Sequence, residues 1–169
     1  MKSFKKLRLD TPGEAGGDKS NRVDVYVRAE ASDKFWYVGK SVARQGACDD
    51  PAQSVLAQKR LVLEHSKLLV EELRLATAPL TMWFAPPDSE MQVAQRMLSL
   101  QPLDGMPRPT LSQDDSGFEP EQWLDPAQGF YVRLTNEGAP ISGPTPAKVV
   151  TAEQLEEMQL DLSDAVQAV

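Results

Sequence analysis

Between Pro51 and Ala76 the apolar residues come in groups seven apart: Val55-Leu56-Ala57, Leu61-Val62-Leu63, Leu68-Leu69-Val70, then Leu73 and Leu75. That spacing suits no strand; it predicts one long helix from Pro51 to about Ala76. Pro51 fits the first turn, behind Asp49 or Asp50 as the cap. Steps of about 100° per residue resolve two apolar faces. The broad one holds Val55, Leu56, Val62, Leu63, Leu69, Val70 and Leu73. A narrower stripe of Ala57, Leu61, Leu68 and Leu75 lies roughly opposite. The broad face can cover a sheet. The stripe needs its own cover, because exposing its leucines forgoes roughly 1.5–3 kcal/mol each. The expected cover is the chain's second half, through Phe118, Trp123 or a Leu155–Val169 helix. The alternative is another protein chain.

A sheet for the broad face is legible upstream. In Arg22–Arg28, Val23, Val25 and Val27 alternate with Asp24, Tyr26 and Arg28, the period of a half-buried strand with its polar side outward. A turn at Ala31–Lys34 and a second strand at Phe35–Val42 complete a hairpin. Pro79–Ala85 reads as a third strand, ended by Pro86 and Pro87. Asp88 then caps a short helix with Met91, Ala94, Met97 and Leu98 on one side. Gly129–Thr135 reads as a fourth strand.

Beyond Leu98 the chain changes character. Pro102, Pro107 and Pro109 open an extended segment expected to contribute little packing, with Phe118 and Trp123 as isolated large residues. Thr151-Ala-Glu-Gln154 forms a capping box that opens an acidic helix, with Leu155, Met158, Leu162, Ala165 or Val166, and Val169 on one side. The expected organisation is a flexible tail at 1–21, an α+β core at 22–98 and a proline-rich segment with one strand and an acidic helix at 99–169. The fold class is α+β: a mainly antiparallel sheet of about four strands packed on one long helix.

Charge is divided along the chain. Residues 1–74 carry 14 Lys/Arg against 11 Asp/Glu, and residues 75–169 carry 4 against 14, which sums to the net −7. An acidic second half repels phosphate backbones, so nucleic acid is not an expected partner. No stretch reaches the 18 or so apolar residues of a membrane span, which predicts a cytoplasmic protein or one peripheral to a membrane.

Catalytic chemistry is sparse. His65 is the single histidine, beside Glu64 and Ser66. Sequence neighbours on a helix point about 100° apart, so the trio forms no local triad, and a surface histidine is expected. Cys48, the single cysteine, precedes Asp49 and Asp50, whose charges raise a thiol pKa rather than activate it. No glycine-rich phosphate loop is present, and the paired acids Asp49-Asp50 and Asp114-Asp115 read as caps or loop residues. Catalytic residues, cofactor and metal are therefore all expected to be absent. The aromatics Trp36-Tyr37 and Trp83-Phe84 each place one ring on either side of the sheet. Either both sheet faces are covered, or an aromatic patch is exposed to a partner.

The runs Val23–Ala29 (Val-Asp-Val-Tyr-Val-Arg-Ala) and Lys34–Gly39 (Lys-Phe-Trp-Tyr-Val-Gly), followed by Gln58-Lys59-Arg60 and Leu61–Leu73, resemble the hypersensitive-to-high-light protein family of chloroplasts and cyanobacteria. The resemblance spans about residues 23–94. It implies an accessory role in photosystem II protection, assembly or repair at the thylakoid. The expected function is thus non-enzymatic protein binding, to a photosynthetic subunit or a second copy of the chain, with Leu61, Leu68, Leu75, Trp36 and Trp83 as candidate contact residues. Two other readings are a small-molecule site or enzyme assembled from distant residues, starting from His65 and Trp83, and a chaperone-like factor holding a basic client on its acidic tail.

Overall fold

The computed structural model describes residues 20–123 and 129–141. The tail ahead of Ser20 and the expected Leu155–Val169 helix lie outside the described residues. Strands β1 (Arg22–Ala29) and β2 (Lys34–Ala43) form the expected antiparallel hairpin, and β3 (Leu80–Ala85) pairs with the other edge of β1. The two-residue β4 (Gln101–Pro102) extends the sheet beyond β3. On the far side β5 (Ser116–Pro120) and β6 (Tyr131–Arg133) divide one edge of β2: β6 lies along Lys34–Trp36 and β5 along Gly39–Ala43. All pairings are antiparallel, in the order β4-β3-β1-β2-β5.

Among the described residues the sheet therefore has six strands where about four were expected. The two additional strands, β4 and β5, come from the proline-rich segment. Proline is tolerated at sheet edges, where its missing N–H faces no partner, and Pro102 and Pro120 each end an edge strand. That segment also packs, contrary to expectation: Leu100, Leu103, Leu111 and Phe118 are all buried.

The single long helix is also corrected. The span folds as α1 (Ala52–Ala57), α2 (Lys59–Leu69) and α3 (Glu71–Leu75). Breaks fall at Gln58 (φ −103) and at Val70, whose backbone is extended (φ −122, ψ 116). A straight helix over this span would run about 39 Å, against about 26–34 Å for strands of this length, and would overshoot the twisted sheet. Turning at Val70 brings both Val70 and Leu73 into the core. The Asp50 carboxylate accepts a hydrogen bond from Ala52 N (2.9 Å), as its capping position suggested.

Both sheet faces are covered. On one, Val23, Val25 and Val27 meet Val55, Val62, Val70 and Leu73, with Leu56, Leu63 and Leu69 packed around them, so the broad helical face does cover the valine face. Buried Ser41 and Ser54 hydroxyls (2.8 Å) join the sheet to α1, and Gln58 Nε2 donates to Ser116 Oγ (2.9 Å) of β5. The opposite face was read as polar and outward, and here the structure differs. Asp24, Tyr26 and Arg28 are buried beneath a second core of Phe35, Tyr37, Trp83, Val93, Leu100, Val132 and Leu134. Its cover comes from α4 (Glu90–Ala94), the chain near Leu100 and the segment around β6.

A β-bulge sets the contents of that second layer. Val25 pairs with Gly39 and Tyr26 with Tyr37, leaving Val38 as the extra residue. One extra residue exchanges the faces of everything after it, so Lys40 lies opposite Asp24 on the second-core side. Gly39 at the bulge has φ +143, and a Cβ there would strike the Glu119 carbonyl of β5. No helix among the described residues is long and apolar enough to cross a membrane.

Candidate functional site

Asp24 is the one fully buried acid on β1, held there because both sheet faces are covered. Its Oδ2 accepts from Ser89 N (2.8 Å), while its Oδ1 has no hydrogen-bond donor and stands 3.7 Å from Lys40 Nζ. The Lys40 ammonium also contacts Asp88 and, at 3.1 Å, Glu90. Asp88, expected to cap α4, instead turns its carboxylate to Lys40 at a left-handed φ of 57, and Ser89 occupies the cap position. Burial pushes the Asp24 carboxyl up to about 6, opposed by the Ser89 N–H and the Lys40 charge and reinforced by Glu90. Burial alone would lower Lys40, but the Asp88 hydrogen bond, Asp24 and Glu90 outweigh it and hold the ammonium above its ordinary range. Tyr26 and Tyr37 are raised by burial first, then by the charges of Asp24 and Glu90.

Asp24, Asp88 and Glu90 bring carboxylate oxygens within 4.8 Å of one another. The Lys40 ammonium stands among them and offsets one of their charges. The group locks the Pro86–Glu90 loop onto the hairpin. Sequence reasoning missed it because the bulge that turns Lys40 toward Asp24 has no composition signature. One signal was available: the supposedly outward face of the hairpin carries Tyr26, Phe35 and Tyr37, too much aromatic surface to leave wet.

The candidate tryptophans do not form a surface patch. Trp83 lies in the second core, edge-on to Phe35 (5.1 Å), with its Nε1 donating to Thr81 Oγ1 (3.0 Å). The Arg28 guanidinium covers both rings and donates to Asn136 O (3.2 Å). Trp36 is buried in the first core against Tyr131 (4.7 Å) and Trp123 (6.0 Å). Of the two alternatives for the sheet aromatics, covered faces is the arrangement found.

The leucine stripe is different. Leu61 is 49% exposed, Leu68 85% and Leu75 68%. On α2, Leu61, His65 and Leu68 fall within about 60° of one another and about 100° from the core-facing Val62, Ser66 and Leu69. The stripe is thus a flank of the helix rather than its back, and Leu75 belongs to the separate α3. His65 is half-buried rather than a free surface residue. Its Nε2 is 2.8 Å from the Glu121 carbonyl, which can only accept, so that nitrogen carries the proton. Its ring meets Phe118 edge-on at 5.9 Å. Phe118 lies in the core and Trp123 packs on Trp36, so neither of these expected covers lies over Leu61 and Leu68. Arg60 and Lys67 are exposed along the ridge.

A cleft of about 520 Å³ beside Cys48 is lined by Asp49, Asp50, Gln53 and Arg108. Burial, then Asp50 and Asp49, raise the Cys48 thiol, as its acidic flank suggested. No family model, curated protein or solved structure matches the chain.

Proposed function

We propose that this protein is a non-enzymatic accessory factor that binds another protein through the exposed leucines of α2 and α3. The observation carrying the proposal is the exposure of Leu61, Leu68 and Leu75 on a molecule whose sheet faces are both covered. Apolar stripes with a polar rim mark association surfaces. The reactive groups fit a non-enzymatic role: His65 Nε2 is bound to a backbone carbonyl, Lys40 is ion-paired, and the Cys48 thiol is raised. The resemblance to the hypersensitive-to-high-light family makes photosystem II at the thylakoid surface the first partner to test.

Purified photosystem II particles should co-sediment the wild-type chain. A Leu61→Lys/Leu68→Lys variant should bind at least about tenfold more weakly, a loss of about 1.4 kcal/mol, while keeping its melting temperature. Equal binding by both proteins rejects the ridge as the contact surface. A second reading, a small-ligand site, is favoured only by Gln53, which lines the Cys48 cleft with an Oε1 that meets no donor.

A further inference from the structure

We infer that the cleft beside Cys48 binds a small zwitterion of the free α-amino-acid class, with its ammonium on one wall and its carboxylate on the other. The inference rests on the small-ligand reading of this cleft and does not involve the leucines of α2 and α3. Two chain segments form the walls: residues 46–50 with Gln53 of α1 supply one, and Pro107, Arg108 and Thr110 supply the other. Each wall is anchored. Just ahead of the first, Arg44 N donates to Asp115 O (2.7 Å) and the Arg44 guanidinium pairs with the Asp115 carboxylate (2.7 Å). Buried Leu103 and Leu111 bracket the second. At about 520 Å³ the cleft falls within the usual range of a small-molecule site, roughly 300–1,000 Å³.

The walls carry opposite charge. Asp49 and Asp50 stand on the first and Arg108 on the second, and no ion pair joins any of the three to a described residue. A cation alone would leave the Arg108 guanidinium unanswered, and an anion alone would meet two carboxylates. A molecule bearing both charges answers both walls. A primary ammonium has three donors, which suit Asp49, the Asp50 oxygen not engaged by Ala52 N and, with a turn of its side chain, the Gln53 Oε1 that meets no donor. A carboxylate suits the forked donors of Arg108, with the Thr110 hydroxyl beside it. Ala47 and Pro107 offer apolar surface to the amino-acid side chain. Cys48 Sγ donates to the Asp50 carbonyl (3.2 Å) and takes no covalent part.

Cys48 is the single cysteine and lines the cleft, so its alkylation by N-ethylmaleimide in the full-length chain at neutral pH reports occupancy. The probes are the free L-amino acids other than cysteine. A Kd of about 1 mM leaves about a tenth of the sites free at about 10 mM ligand, so at least one amino acid should slow labelling about tenfold. Asp49→Asn and Arg108→Ala, at exposed positions whose melting temperatures report an intact fold, should each cut that protection to less than about twofold, taken as the ratio of rates with and without ligand. The matching amine without the carboxylate, and the matching acid without the amine, should protect no better than this. Equal protection by the amine or the acid alone overturns the inference and leaves a small-ligand site of another class. No protection by any of the three classes overturns both. Undiminished protection in Asp49→Asn and Arg108→Ala also overturns the inference, because neither wall then holds the ligand. Leu61→Lys/Leu68→Lys should be protected as the wild type is, whatever its binding to photosystem II, and loss of protection there overturns the assignment to this cleft.

Discussion

Asp24 ionises against its own burial, and the sign of its effect on stability follows. A carboxyl raised from 3.8 to about 6 on folding binds its proton more tightly in the native state. Its contribution is therefore fully present below about pH 4 and is lost as pH rises through about 6. Asp24→Asn should remove this slope and stabilise the protein at pH 7.5 by about 2–3 kcal/mol, because the amide can still accept from Ser89 N without being charged. Urea unfolding of both proteins from pH 4 to 8 measures the difference. Curves that stay parallel would show that Asp24 does not titrate in this window. His65 acts at the same scale. Its bond to Glu121 O and its contact with Phe118 predict that His65→Ala costs about 1–2 kcal/mol of stability. An unchanged denaturation midpoint would place the ring in solvent.

The bulge in β1–β2 decides which side chains meet, and Gly39 permits it. Gly39→Ala combines a strained φ with a collision against β5, so it should destabilise by more than about 2 kcal/mol, read as a shift in the urea midpoint. Helix α2 offers a paired comparison with α3. Leu68 is 85% exposed and Leu73 is in the first core. Leu68→Lys should change stability by less than about 1 kcal/mol, whereas Leu73→Ala should cost about 2–5 kcal/mol. Similar losses in both would mean that Leu68 is packed. The helical pattern of 51–76 was readable because its period is local. Its breaks at Gln58 and Val70 were not, because they answer to the length and twist of the sheet beneath.

Among the described residues of the whole molecule, Leu61, Leu68 and Leu75 stand exposed outside the two covered sheet faces, as do Met91 and Met97, and the photosystem II co-sedimentation test asks whether the leucines bind a partner. Little of the ionic group around buried Asp24 was legible: Asp24, Lys40 and Glu90 are distant in sequence and each reads as an ordinary surface charge. The exposed leucines were legible as a stripe needing cover, but their position on the flank beside His65 was not. By itself the sequence determined the hairpin, the third strand, the helical character of residues 52–75 and the face that packs on the valines, all carried by periodicities of two or about 3.6 residues. Only the tertiary structure decided that the polar face of β1 is buried, that Lys40 meets Asp24, and that proline-rich residues supply edge strands and core leucines. Those outcomes depend on register and on long-range pairing. A one-residue bulge or a distant edge strand changes which face is wet while leaving every local propensity as it was.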